Sequence, residues 1–144
     1  MNSIIDAISV KLFETFGHEY TIYKENVEQG LKEPCFFIDI VSVDRKQIIG
    51  NRYYSNNAFD ICYFPVGEEK KTDMLNVANV LYDDLEYVSL ANGDLLKGTK
   101  MNAEIVDGIL HFFVSYNLIL QKETELAEDM EFLDVRTAIN SEVQ

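Results

Sequence analysis

A hairpin signal in residues 101–120 constrains the fold more than any other part of the chain. Asp107 and Gly108 separate two runs of alternating apolar residues, and both residue types tolerate the positive φ that a type I′ turn needs. The turn sets Val106 opposite Ile109 and predicts the apolar pairs Ile105–Leu110, Ala103–Phe112 and Met101–Val114 on one face. On the other face it predicts Glu104–His111, Asn102–Phe113 and Lys100–Ser115. A slip by one residue would expose the whole apolar set, so the register is well specified.

Periodicity along the rest of the chain predicts two helices and several strands. The first helix runs from a Ser3 cap to Gly17, and the second follows a Thr72 cap with an apolar stripe of Met74, Leu75, Ala78, Leu81, Tyr82 and Leu85. Strands are predicted at 20–24, 35–43, 52–64 and 88–90, with a polar loop at 25–34, a hairpin loop at 44–51 and a turn at Asn92-Gly93. This order predicts an α+β fold, a mainly antiparallel sheet with two helices packed on one face.

The predicted strand at 35–43 is apolar on both of its faces. Phe36, Ile38 and Ile40 share one side, and the other side carries Cys35, Phe37, Val41 and Val43, interrupted by Asp39. Such a strand is either central in the sheet or meets another subunit with its second face.

The composition divides the chain near residue 120. Residues 1–120 suit a single domain with one core. Residues 121–144 carry seven acids against Lys122 and Arg136 and are predicted to be an acidic tail. Within the tail, the apolar residues of 130–139 favour a last strand or docking segment.

The charge balance limits the classes of partner. A net charge of −13 opposes binding to a phosphate backbone, which relies on Lys and Arg. It suits solvated faces, a protein that lets DNA pass without gripping it, or a DNA mimic. Cys35 and Cys62 are expected to be buried thiols in a reducing compartment. The N-terminal residues lack the pattern of a signal peptide and no run is long enough for a membrane span, so we predict a soluble protein made in the cytoplasm.

The sequence contains no nucleophile elbow, P-loop or dinucleotide fingerprint. His18 and His111 lie on unrelated elements, with no Cys or His at ligand spacing, so no metal site and no cofactor are predicted. Glu104 opposite His111 is interpreted as a cross-strand hydrogen bond, with acid–base work as the alternative. Asp39 and Asp60 interrupt apolar strands. Three interpretations are open: they face water, they lie at a subunit interface, or they form a carboxylate pair in a catalytic pocket.

Ordered blocks along residues 1–120 resemble the tail terminator family of phages and prophages of Gram-positive bacteria. The blocks are Gln29-Gly30, Glu33 to Ile38, Asn51-Arg52-Tyr53, Phe59-Asp60-Ile61, Tyr63-Phe64-Pro65, Leu81-Tyr82, Leu85-Glu86, Glu104 to Gly108, Leu110 to Val114 and Tyr116. The resemblance implies a structural virion protein that caps the head-proximal end of the tail tube, with no catalytic residues.

The resemblance also implies a hexameric ring whose partners are the tail tube protein and a neck or head-completion protein, while DNA passes through without specific binding. The location would be the host cytoplasm during assembly and then the virion tail. For subunit or partner contacts we predict Asp39, Val41, Tyr53, Tyr54, Asp60, Glu104, His111 and Phe113. The alternatives are a head–tail connector or tail-completion protein, an acidic DNA-mimic inhibitor of a host protein, and a small enzyme with Asp39, Asp60 or Glu104 in a pocket.

Overall fold

The computed structural model describes residues 2–24, 32–123 and 134–136. In these residues the elements are α1 (Asn2–Phe16), β1 (Thr21–Tyr23), β2 (Cys35–Ile49), β3 (Arg52–Phe64), α2 (Lys70–Asp84), β4 (Tyr87–Ser89), β5 (Leu95–Val106), β6 (Ile109–Glu123) and β7 (Asp134–Arg136). The strand order is β1-β2-β3-β6-β5-β4, and β7 pairs with the end of β6. The α+β class is confirmed. Because β1 pairs with β2 in parallel while the other described pairs are antiparallel, the sheet is mixed and the prediction of a mainly antiparallel sheet is confirmed in part.

Most of the predicted 25–34 loop and most of the tail lie outside the described residues. The division of the chain at residue 120 therefore stays a prediction. Within the described part, β6 continues to Glu123, and its residues 121–123 pair with β7.

The core lies against one face of the sheet. Phe36, Ile61 and Phe112 are fully buried there. One ring of each helix contacts a core ring here: the Phe16 ring of α1 lies 4.8 Å from the Phe36 ring and the Tyr82 ring of α2 lies 5.0 Å from the Phe112 ring. The prediction that two helices pack on one face is thus confirmed in part. Each large side chain removed from water in this way stabilises the fold by about 1.5–3 kcal/mol.

The hairpin between β5 and β6 has the predicted turn and most of the predicted register. Asp107 and Gly108 have φ values of 53° and 75°, and the predicted pairs hold from Val106–Ile109 to Asn102–Phe113. Beyond them the prediction is wrong, because β5 contains a bulge between Thr99 and Asn102. Thr99, rather than Lys100, therefore pairs with Ser115, and Met101 does not pair with Val114.

Near this bulge, the backbone of β5 at Gly98 lies close to the Leu85 carbonyl. The Tyr116 hydroxyl donates a hydrogen bond of 2.6 Å to the Leu85 carbonyl, and Gly98 pairs with Tyr116. A Cβ on Gly98 would lie 2.7 Å from the Leu85 carbonyl oxygen and 2.9 Å from Val114 Cγ2. Only a residue without a side chain fits this position, since real Cβ atoms do not approach other atoms so closely.

The β2–β3 hairpin is longer than predicted. We expected a loop at 44–51, but β2 continues to Ile49 and the turn consists of Gly50 and Asn51. The polar residues of 44–47 are solvent-exposed strand residues, a pattern that also suits a loop. A bulge at Val41 moves Val43 to the face opposite the one we predicted, where it pairs with Asn57. We call residues 41–58 the arm.

The helix starts also differ from prediction. Ser3 and Thr72 lie inside helices that begin at Asn2 and Lys70, and the N-cap of α2 is Glu69 without a side-chain cap bond. Gly17 ends α1 with φ of 85°, as predicted. Neither described helix combines the length and the apolar character that crossing a membrane requires.

Candidate functional site

Most of the predicted contact residues lie on the sheet face opposite the core, which we call the outer face. It is formed around Asp39, Asp60, Asn102, Glu104, His111 and Phe113. The strand register places Asp39 opposite Asp60, Asp60 opposite Phe113 and Glu104 opposite His111. Asp39, Asn102 and Glu104 are exposed, while Asp60, His111 and Phe113 are partly buried. These six residues are acidic or polar apart from Phe113, while Phe37, which pairs with Cys62, adds an apolar side chain to the same face.

The other predicted contact residues lie on the arm. Tyr54 is exposed and pairs with Ile119, on the same face as Asp60. Tyr53 pairs with Leu120 on the opposite face of β3 and is partly buried. Val41 is the bulged residue of β2 and is exposed. These residues are thus separated from the centre of the outer face.

The centre of the outer face contains a cluster of three side chains from β3 and β6. His111 Nδ1 lies 2.9 Å from Asp60 Oδ2 and 3.4 Å from Cys62 Sγ. Asp60 and Cys62 are two residues apart on β3, so both side chains point to the same face. The pairing of β3 with β6 then sets Cys62 directly opposite His111.

The predicted hydrogen bond between Glu104 and His111 is replaced by two others. The two residues do lie opposite each other, as the hairpin register predicted. However, His111 pairs with Asp60 of the neighbouring strand, and Glu104 accepts a hydrogen bond of 3.1 Å from the Asn102 amide. The contact across β3 and β6 is favoured because Asp60 is the less exposed of the two carboxylates, with 14% of its side chain accessible.

The cluster is unsuited to a nucleophilic cysteine. Burial, followed by the charge and hydrogen bond of Asp60 and the charge of Asp39, raises the pKa of the Cys62 thiol to about 12. A reactive cysteine needs the opposite shift, because the thiolate is the nucleophile. His111 also offers the same nitrogen to both neighbours, whereas a catalytic triad uses one ring nitrogen for each partner.

The arm adds an apolar surface to the same molecule. Its exposed large apolar side chains are Val41, Val43, Ile48, Ile49 and Tyr54. In the described residues, β2 pairs with β1 only at 35–37 and with β3 on its other side. The edge of β2 beyond residue 37 therefore has no described partner strand, and its unpaired N–H and C=O groups are available for pairing.

Comparison with known protein families gives a match over most of the chain. Residues 3–128 match the family described as phage tail terminator protein. The chain belongs to the phage tail terminator family. The match spans α1 through β6 and so includes the core, the outer face and the arm. This family has a structural, non-enzymatic role in phage tails, and its members are virion components.

A match to one enzyme has little bearing on this terminator-family chain. The chain is 30% identical over 115 residues to a glycerol-3-phosphate acyltransferase of Shewanella oneidensis, a stretch that covers 72% of this chain. The aligned region spans only 14% of the acyltransferase. The likeness therefore carries no activity over to the terminator-family chain.

Sequence reasoning found His111 and Asp60 but assigned them different partners. It treated Cys62 as a small buried hydrophobic residue and found no thiol at ligand spacing from His111. The missing information was the pairing of β3 with β6, which unites residues 49 positions apart. Alternation on β3 could have placed Asp60 and Cys62 on one face, but not opposite His111.

Proposed function

We propose that this protein caps the head-proximal end of a phage tail tube, stops its growth and presents a surface to a neck or head-completion protein. The observation that carries the proposal is the match to the tail terminator family over residues 3–128. The outer face, which no described element covers, and the edge of β2, which has no partner strand among the described residues, support it, because both are surfaces that an assembling subunit can bury.

The proposed assembly is a closed ring, with six subunits as the expected number. A ring needs two different surfaces on each subunit, since contacts between neighbours are head to tail. The arm, with Val41, Ile48 and Ile49 exposed, supplies an apolar surface. The outer face supplies a second one, in which Phe113 is the aromatic anchor and Asp39 and Glu104 are polar contacts.

The charge of the chain fits a conduit for DNA. A net charge of −13 lets phosphates pass along a ring without being held, since binding to the backbone relies on basic side chains. In this proposal the protein assembles in the host cytoplasm and becomes part of the virion tail, and the host is a Gram-positive bacterium.

Growth of tail tubes in the presence of the protein tests the function. Purified tube protein from the same phage is polymerised with increasing amounts of this chain, and tube lengths are measured by negative-stain electron microscopy. We expect shorter tubes with extra density at one end. Tubes of unchanged length, with no added density, would contradict the proposal.

Two variants separate a specific contact from general interference. Ile49→Asp places a charge on the exposed tip of the arm and should abolish capping, because an unpaired charge is costly in an apolar interface. Leu75→Asp is the matched control, since Leu75 is 52% exposed on α2, away from the arm. Equal loss of capping in both variants would count against the arm as a contact surface.

The connector alternative differs in its partner. A head–tail connector or tail-completion protein would bind the neck or portal and leave tube length unchanged. Co-sedimentation with purified tubes and with the neck protein, carried out in parallel, distinguishes the two functions.

A further inference from the structure

The cluster at the centre of the outer face has the composition and spacing of a metal site. The nearest ligand atoms of Asp60, Cys62 and His111 all lie within 4.8 Å of one another. They provide an oxygen, a sulfur and a nitrogen donor. Zinc binds this set of donors, at about 2.0–2.2 Å for oxygen and nitrogen and about 2.3 Å for sulfur.

The distances between the ligand atoms are close to those of a site for a single ion. A tetrahedral zinc site with such bonds places its ligand atoms about 3.3–3.8 Å apart. The observed separations are 2.9 Å from His111 Nδ1 to Asp60 Oδ2 and 3.4 Å from His111 Nδ1 to Cys62 Sγ. Small side-chain rotations therefore suffice to bring all three atoms into contact with one ion. The backbone needs no movement, because β3 and β6 hold the three residues in register.

An unpaired oxygen provides a second, independent reason. Asp60 Oδ1 is buried and has no hydrogen-bond partner among the described residues. A buried carboxylate oxygen without a partner is destabilising, because nothing offsets the loss of its hydration. A cation bound by both oxygens of the Asp60 carboxylate would remove that cost.

The surroundings leave room for a fourth ligand and a path for the ion. Asp39 lies opposite Asp60 on β2, and Glu104 lies opposite His111 on β5; both are exposed and neither belongs to the three-residue cluster. A water molecule can complete four-coordination, and either carboxylate would need to rotate toward the cluster to do so. The His111 side chain is 26% exposed, so an ion can reach the cluster from solvent.

We propose that Asp60, Cys62 and His111 bind one zinc ion on the outer face of the sheet. The mixed sulfur, nitrogen and oxygen donors favour a borderline-soft ion over magnesium or calcium, which prefer all-oxygen sites. On binding, Cys62 loses its thiol proton and His111 coordinates through Nδ1 as the neutral imidazole. The ion would join β3 to β6 and fix the side chains of the outer face. The cluster lies on the outer face that the proposed function assigns to a ring contact, but metal binding by the free chain does not require that function.

Cobalt substitution gives a direct test. The protein is stripped with a chelator, dialysed and titrated with Co²⁺ while its absorption spectrum is recorded. We expect a thiolate-to-cobalt charge-transfer band and the strong visible bands of tetrahedral Co²⁺, saturating at one ion per chain and bleached by an equivalent of Zn²⁺. A wild-type spectrum without the thiolate band would overturn the proposal, whatever the variants do.

Paired variants locate the site. Cys62→Ser should abolish the charge-transfer band, and Cys35→Ser should keep it, because Cys35 is also a buried free cysteine but lies outside the cluster. His111→Ala should weaken Co²⁺ binding at least tenfold, whereas His18→Ala should leave it unchanged. Circular dichroism checks that each variant is folded. A band that persists in Cys62→Ser would contradict the assignment.

Thermal unfolding gives a second readout that does not depend on colour. A hundredfold excess of Zn²⁺ over its dissociation constant should raise Tm by about 5–10 °C for a domain of this size. The isosteric Asp60→Asn should reduce this rise without removing the fold. An equal rise in wild type, Asp60→Asn and Cys62→Ser would show binding elsewhere and refute the site.

Discussion

Gly98→Ala tests the close approach of β5 to the residue that follows α2. The new Cβ would lie 2.7 Å from the Leu85 carbonyl oxygen, 2.9 Å from Val114 Cγ2 and 3.3 Å from Tyr116 Cε1. One of these groups is a backbone carbonyl, which cannot rotate away as a flexible side chain would. The substitution must therefore displace the chain at Leu85 or the strand that carries Gly98.

The expected cost follows from three terms. Overpacking a well-packed site costs about 1–3 kcal/mol. Displacing the Leu85 carbonyl also weakens its 2.6 Å hydrogen bond from the Tyr116 hydroxyl, at about 1 kcal/mol. Alanine restricts the unfolded chain more than glycine does, and this stabilises the folded state by about 0.4–1 kcal/mol. The sum is a destabilisation of about 1–3.5 kcal/mol, which lowers Tm by about 4–12 °C.

Urea unfolding followed by circular dichroism measures the change, with Lys97→Ala as the control on the same strand. Lys97 is exposed, so its substitution should cost less than about 1 kcal/mol. A double-mutant cycle then tests the mechanism. Tyr116→Phe should cost about 1–2 kcal/mol alone and clearly less in the Gly98→Ala background. Ordinary surface substitutions change the free energy of unfolding by less than about 0.5 kcal/mol. A change of that size for Gly98→Ala would refute the predicted clash. Full additivity of the two substitutions would refute the predicted coupling to the Tyr116 hydrogen bond.

Three further perturbations test the core and its polar contacts. Asn57→Ala should destabilise by about 1–3 kcal/mol, because the fully buried Asn57 amide donates to a β6 carbonyl; urea unfolding with no change would contradict this. Asp73→Ala should destabilise by about 1–2 kcal/mol, since it removes the acceptor of the 2.6 Å hydrogen bond from the buried Tyr63 hydroxyl. Asp73→Asn keeps an acceptor and should destabilise less. Equal destabilisation by both variants in thermal melts would argue against the hydrogen bond. Burial raises the pKa of Cys35 to about 11 and of Cys62 to about 12 in the folded protein, so the unfolded chain loses these protons first. The two thiols should therefore leave the free energy of unfolding unchanged below about pH 9 and lower it between about pH 9 and 12, by up to about 1.4 kcal/mol per pH unit for each thiol. A free energy of unfolding that does not change over this range would refute the raised pKa values.

Local chemistry predicted those parts of the fold that depend on neighbouring residues. The Asp107-Gly108 turn and the strand at 52–64 were found where the sequence placed them. In both, the turn residues and the alternation support the same structure, so no tertiary information was needed. The end of α1 at Gly17 is a third case, because a glycine with φ of 85° stops a helix by its own conformation.

Features that depend on distant partners could not be predicted in the same way. The bulge next to Lys100 brings Gly98 against Tyr116 and the Leu85 carbonyl, contacts that a hairpin register does not contain. The extension of β2 to Ile49 also depends on a partner strand. Its exposed polar residues have the composition of a loop, and pairing with β3 decides that they are strand.

The candidate site shows this limit most clearly. The hairpin alone set Glu104 opposite His111, and that register is correct. The hydrogen bond nevertheless goes to Asp60, because β6 also pairs with β3 and the Asp60 carboxylate is the more buried acceptor. Cys62 joins the cluster through the same pairing. A search for ligands by spacing along the chain could not find a site formed by two strands that are far apart in sequence.

The two proposals meet on the outer face, but the arm and the cluster lie toward different ends of β3, so an arm variant tests capping without altering the cluster. Residues on β3 alternate between the core, as at Phe59 and Ile61, and the outer face, as at Asp60 and Cys62. The arm lies toward the other end of the strand, where Tyr54 is exposed. Ile49→Asp should therefore abolish capping while leaving the thiolate-to-cobalt band unchanged, because it alters neither the cluster nor the register that positions it. Loss of both in one folded variant would mean that the arm and the cluster are coupled, and neither surface could then be assigned by single substitutions.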